Sequence, residues 1–161
     1  MPAEPARLDG IALSRQRRLV YRCRLGISFL EDDMTRRAIA DAPGLGKTLG
    51  PYSRAVWAGN TLFLAGQLGI DPAANKLVEG GAGPETGQIF KGISAVLGAA
   101  GLSLANVVKA NVYLTDMNDF AAMNKVYETF FEAPNPARTT IGIAALPGGA
   151  HVEIEVIATA A

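Results

Sequence analysis

The chain has 161 residues, 49% of them hydrophobic and 19% charged, with 15 basic residues against 15 acidic ones. That length suits one domain with a sizeable core; the charge balance supplies no field for nucleic acid or anionic lipid, and no apolar run approaches the roughly 20 residues of a membrane-spanning helix. One cysteine, Cys23, excludes an internal disulfide, a thiol pair and a cysteine-based metal site, and suits a reducing compartment.

The chain divides near Met34. Between Leu8 and Leu30 it carries Arg15, Arg17, Arg18, Arg22 and Arg24 with Asp9 as the only acid, and Glu31, Asp32 and Asp33 then follow together. Neither helical nor strand periodicity runs through this stretch. Arginines interrupt "RLVYRCRLGISFL", so it lacks the continuous apolar region of a secretory signal. "SRQRRLVYRCRLG" fits an organelle transit peptide only in part, because serines are few. Residues 1–33 are therefore read as a disordered tail or a stretch upstream of a native start at Met34. A cytoplasmic location is expected, with import through residues 1–33 as the alternative.

From Met34 the pattern is orderly. "RRAIA" is a short strand candidate, and "DAPGLGKTLGPYS" is a loop full of breakers. "RAVWAGNTLFLAGQLGI" reads as two strands joined at Ala58-Gly59-Asn60. "DPAANKLVEGGAGPE" is another loop, with Pro84 suited to a helix's first turn. Apolar residues at Ile89, Ile93, Val96, Leu97 and Ala100 predict a helix over Glu85–Ala100, ended by Gly101. "NVVKANVYLTD" is a strand rich in β-branched residues. "NDFAAMNKVYETFFE" opens on a capping residue and aligns Phe120, Met123, Tyr127 and Phe130 on one helical face. "RTTIGIAAL" and "HVEIEVIATA" close the chain as strands. Six strands and two main helices make an α+β domain with both helices on one face of a mixed sheet.

Two helices cover only one face of such a sheet. In the last strand Val152, Ile154, Val156 and Ala158 point one way, and His151, Glu153, Glu155 and Ile157 the other. In "VVKANVYL" Val108, Ala110, Val112 and Leu114 alternate with Val107, Lys109, Asn111 and Tyr113. The second face is thus mixed, which predicts packing against another subunit.

Chemistry-bearing candidates are few. His151 is the only histidine and has no metal-ligand spacing; it reads as a strand-entry residue bonded to backbone or water. "PGLGKT" (43–48) brushes against a phosphate-loop pattern, but no helix is expected after it. No Ser/His/Asp set is suggested. In "GPYSRA" a turn displays Tyr52, as a ligand contact or as a half-buried packing residue. In "AGQLGI" Gly66 permits close approach of a ligand, or marks a bulge. Arg138, in "PARTTIGI", carries a fork suited to a carboxylate, or pairs with Glu153 or Glu155.

Taken together, "GPYS", "FLAGQLGIDP", "AAGLSLANVVKANVYLTDMNDFAAMN", "YETFF", "PARTTIGIAALP" and "VEIEVIA" resemble the RidA/YjgF family of reactive-intermediate deaminases. The resemblance spans nearly all of residues 34–161, read as one RidA-like domain. It implies a chorismate-mutase-like α+β fold and a homotrimer with a central barrel of sheets and sites between subunits. It also implies hydrolysis of 2-imino acids or their enamines, such as 2-iminobutanoate and 2-iminopropanoate, to 2-keto acids and ammonia, with no metal or cofactor. On the matching positions, Arg138 is the carboxylate-binding residue and Glu153 the group that activates water and handles the imine proton. Tyr52 lines the cleft, Gly66 supplies backbone contact, and Thr140 stands where many members carry cysteine. Asn118 and Asn124 are given a supporting structural role.

Three other readings compete. A non-catalytic binder of small carboxylates would use the same Arg138. An endoribonuclease or translation inhibitor would want a basic groove, whereas residues 34–161 hold 9 basic and 10 acidic residues. A chorismate mutase would want several cations around a dianion, and only Arg138 and Arg54 are at hand.

Overall fold

The computed structural model describes residues 20–22, 28–30, 37–46, 48 and 50–160. The chain divides into two units, Met1–Thr35 and Arg36–Ala161. In the first, β1 (Val20–Arg22) and β2 (Ser28–Leu30) pair antiparallel. The remainder of the reading given to residues 1–33 lies outside the described residues.

In the second unit β3 (Arg37–Ile39), β4 (Ala55–Ala58) and β5 (Thr61–Leu64) form an antiparallel meander. The β4–β5 turn is Gly59–Asn60, with Gly59 at φ +59°, where a residue without Cβ costs least. The long second strand expected here breaks at Ala65–Gly66, and β6 (Gln67–Leu68) resumes on a different partner. The loop expected over 71–85 instead contains a small hairpin, β7 (Ile70–Asp71) with β8 (Lys76–Leu77). Its turn is organised by the Asp71 carboxylate, which accepts the Ala73 N–H at 2.8 Å, and by Asn75 at φ +51°. A side-chain acceptor followed by a left-handed Asn is turn chemistry that a composition reading records only as loop.

Helix α1 (Ala82–Ala99) starts three residues before its predicted Glu85, with Pro84 inside the first turn, where its missing N–H is no loss. It stops where expected: Gly101 adopts φ +74° and the Leu102 N–H donates to the Leu97 carbonyl at 2.8 Å, satisfying an otherwise orphaned acceptor. Strand β9 (Val107–Leu114) follows, then α2 (Phe120–Tyr127), β10 (Ala137–Gly142) and β11 (Val152–Thr159). The cap before α2 is Asp116, whose carboxylate accepts the Asn118 N–H at 2.8 Å, rather than the first residue of "NDFAAMN".

The sheet order is β10-β9-β11-β5-β4-β3, with β6 also on β11. β10 runs parallel to β9, joined by the α2 crossover, and the other pairs are antiparallel. The six predicted strands thus form a mixed sheet, with the two-residue β6 as an addition.

The core lies between this sheet and the helices. Ile89, Ile93, Val96 and Leu97 of α1 are fully buried, as are Val112, Leu114, Val152 and Ile154 of the sheet. Phe90 stacks on Phe130 at 4.5 Å between centroids and meets Tyr127 and Phe131 edge-on at 5.4 and 5.5 Å. This cluster locks α1 to α2; the fully buried Phe90 alone contributes about 1.5–3 kcal/mol by burial. In β11 the faces alternate as the sequence predicts. In β9 they do not at its start: Val107 is buried and Val108 is 46% exposed. The β9–β11 register passes from Lys109–Ile157 to Val107–Ala158, so Val108 is the extra residue of a bulge.

Candidate functional site

Where β5 breaks, the sheet opens into a cavity of about 490 Å³. Tyr52, Arg54, Gly66, Gln67, Gln88 and Glu153 contribute to its lining, with Leu45, Leu68, Ile70 and Pro72 as apolar walls. Three predicted residues, Tyr52, Gly66 and Glu153, thus meet here. Tyr52 is 46% exposed, held by the turn in which its N–H donates to the Gly50 carbonyl at 2.9 Å.

Gly66 has a structural role beside the expected backbone contact to a ligand. A Cβ on it would collide with the Glu153 carboxylate, lying 2.7 Å from its Cδ. The glycine therefore makes the space in which Glu153 lies across the strand break.

Glu153 pairs with Tyr113 across the β9–β11 ladder, two residues from Glu155 on the same face. Burial raises the Glu153 pKa, and the Glu155 charge raises it further. Glu155 is held by Asn111 Nδ2 and by the Tyr113 hydroxyl, both donating to Oε1 at 2.9 Å. Burial, that hydrogen bond and the carboxylate charges push the Tyr113 phenol up as well. Glu153 itself accepts no hydrogen bond from the described residues, which suits a carboxylate that takes a proton from water.

Arg138 is elsewhere. It pairs in register with the fully buried Ala110, so it occupies the helix-covered face of the sheet, whereas Glu153 is on the opposite face. Its guanidinium sits 4.5 Å from the Tyr127 ring centroid and 5.8 Å from that of Phe120. With Asn124, Tyr127, Glu128, Asn135 and Pro136 it lines a separate cavity of about 320 Å³. Pairing with Glu153 or Glu155 is not what occupies it: among the described residues it makes no ion pair, and the aromatic faces hold the cation instead. Thr140, two residues on, shares the helix-side face and has a buried Oγ1 with no partner among the described residues. Of the two asparagines, Asn124 lines the Arg138 cavity and Asn118 donates its N–H to the Asp116 cap.

Sequence reading missed two features. His151 is bonded to a carboxylate, not only to backbone or water. Its Nδ1 lies 2.6 Å from Glu85 Oε1, while Glu85 Oε2 accepts the His151 and Val152 N–H groups at 2.9 and 3.3 Å. Glu85 is 66 positions away, and only its place on the core-facing side of α1, beside Ile89, hinted at burial. The second is the burial of Arg54, named above only as a spare cation: it is 7% exposed, and its Nη2 donates to the Gly46 carbonyl. A lone charge directly ahead of the apolar run "AVWA" was the available signal. Among the described residues no group of three metal-ligating side chains clusters.

Comparison with known proteins points one way. The family described as Endoribonuclease L-PSP matches residues 41–160. A 2-iminobutanoate/2-iminopropanoate deaminase of Capra hircus is 47% identical over 125 residues, covering 78% of this chain and 90% of that protein. A RutC family protein of Pyrococcus horikoshii is 49% identical over 112 residues, covering 70% and 89%. The crystal structure of RidA from an Antarctic Psychrobacter superposes with a TM-score of 0.73 at 44% identity, covering 77% of this chain and all of that one.

Proposed function

This chain belongs to the Endoribonuclease L-PSP family, the RidA/YjgF family, and from that premise we propose that it hydrolyses reactive 2-imino acids, such as 2-iminobutanoate and 2-iminopropanoate, to 2-keto acids and ammonia. The observation that carries this reading is the Glu153 carboxylate, lying in a cleft over Gly66 with its pKa raised by burial and with no hydrogen bond from the described residues. A base whose pKa moves toward neutrality is matched to proton transfer at working pH. The names of relatives at this level of identity support the same chemistry.

The site in this reading is completed by a second subunit. Arg138 lies on β10, the edge strand of the sheet, and opens on its own cavity. In the proposed homotrimer the Arg138 of one subunit faces the Glu153 cavity of the next, and its fork binds the substrate carboxylate bidentately. Thr140 contributes through its backbone, so a cysteine at that position is not needed. Tyr52 closes the mouth of the cleft.

The reaction then runs without a cofactor. Glu153 takes a proton from water as its oxygen bonds to the imine carbon, and the C=N π pair becomes a nitrogen lone pair that takes up that proton. The resulting amino alcohol loses ammonia as its hydroxyl proton passes to nitrogen and C=O forms. One imine and one water yield one keto acid and one ammonia.

The test generates 2-iminobutanoate in situ and follows its lifetime against semicarbazide as a competing trap. The wild-type chain should shorten that lifetime. Glu153→Gln should reduce kcat by about 10²–10⁴-fold, and Arg138→Ala should lower kcat/KM by at least tenfold. A wild type that behaves as buffer while still binding small carboxylates would make the chain a non-catalytic binder. The endoribonuclease reading gains nothing from a core with 9 basic and 10 acidic residues.

A further inference from the structure

One charged group in the Glu153 cavity has no task in this chemistry. Arg54 precedes β4, and its backbone carbonyl accepts the Ala65 N–H at 2.9 Å, which ties it to the residue before Gly66. It is 7% exposed and lines the same cavity as Glu153. One end is held: Nη2 donates to the Gly46 carbonyl. Nε is buried and has no partner among the described residues. Among the described residues the only ion pair is that of His151 with Glu85, so none of their acids neutralises Arg54. Glu153, which lines the same cavity, makes no ion pair with it either.

An arginine keeps its charge when buried, and a buried ion without a counter-charge is costly. The apolar walls Leu45, Leu68 and Ile70 would by themselves suit an aliphatic substrate side chain. Such a side chain leaves the guanidinium uncompensated, whereas a carboxylate fits the free Nε edge of the fork. A cavity of about 490 Å³ has room for a small diacid.

We propose that Arg54 is a specificity-determining residue for an anionic substrate side chain, and that the chain prefers dicarboxylic 2-imino acids. In this assignment, which rests on the deaminase reading, Arg138 of the neighbouring subunit holds the α-carboxylate. Arg54 holds the second carboxylate, and the imine carbon lies between them at Glu153.

The experiment titrates the full chain with two matched pairs of product acids, 2-oxoglutarate with 2-oxopentanoate and freshly dissolved oxaloacetate with 2-oxobutanoate. Within a pair the chain length is the same and only the second carboxylate differs. In at least one pair the diacid should bind about tenfold more tightly or better, as a charged hydrogen bond allows, and Arg54→Gln should abolish that preference. Equal affinities within both pairs in the wild type overturn the assignment, whether or not the variant folds. A preference that survives Arg54→Gln overturns it too. The corresponding imines are then followed with the semicarbazide trap. Arg54-dependent binding without turnover of any imine would retire the deaminase reading while leaving the diacid site in place.

Discussion

At the scale of single residues, the site depends on a missing side chain. Because a Cβ on Gly66 would collide with the Glu153 carboxylate, Gly66→Ala should drive Glu153 from its position. The expected outcome is a kcat loss of about 10²-fold, comparable to removing the base, with an unchanged far-ultraviolet circular dichroism spectrum. The pH profile reports on the same group. Glu153 must be ionised to accept a proton, so activity should fall as pH drops through its raised pKa. Burial is the larger cause of that shift and Glu155 adds to it. Glu155→Gln should therefore move the acidic limb of kcat/KM to lower pH without removing it. A limb that stays in place would mean that Glu155 does not act on Glu153.

At the scale of elements, two junctions hold the domain together. Phe90 inserts between the rings of Phe130, Tyr127 and Phe131, so Phe90→Ala should cost about 3–5 kcal/mol in urea unfolding. Glu85 ties the first turn of α1 to the start of β11 through two backbone N–H groups and the His151 ring. Its bond and charge raise the His151 pKa above 6.5, against a small opposing effect of burial. A histidine with a raised folded pKa contributes stability that is fully present below its unfolded pKa and lost as pH rises through the folded one. The denaturation midpoint should decline across that window, and His151→Gln should flatten the decline. Glu85→Ala, which also orphans buried donors, should destabilise at all pH values by about 2–4 kcal/mol.

At the scale of the whole molecule, one face of the sheet is unfinished. Phe63 and Ile141 are each 45% exposed, and they pair in register with Ile157 and Tyr113 on the face opposite the helices. The proposed trimer buries this face, as an obligate interface buries core-like surface. Sedimentation equilibrium should report three chains per particle. Ile141→Asp should shift that mass toward the monomer and reduce imine hydrolysis in proportion, since Arg138 and Glu153 would part. A monomer that hydrolyses imines at the wild-type rate would contradict a site shared between subunits.

Much of this was legible along the chain because periodicity is local physics. The α1 stripe, the Gly59–Asn60 turn, the Gly101 stop and the alternation of β11 follow from 3.6- and 2-residue repeats and from φ preferences carried by single residues. The family was legible as well, through ordered motifs in which Tyr52, Gly66, Arg138, Thr140 and Glu153 stand. What could not be read was whatever depends on a partner distant in sequence. The Val108 bulge arises from pairing with β11, and the strand break at Ala65–Gly66 from the change of partner between β5 and β6. Glu85 and His151 meet across 66 positions. The sequence by itself determined the elements, their order and the types of group available for chemistry. Only the tertiary structure decided which of them meet: sheet register set Arg138 and Glu153 on opposite faces, and packing left Arg54 buried without an acid among the described residues, because faces and counter-charges are properties of pairing and not of position along a chain.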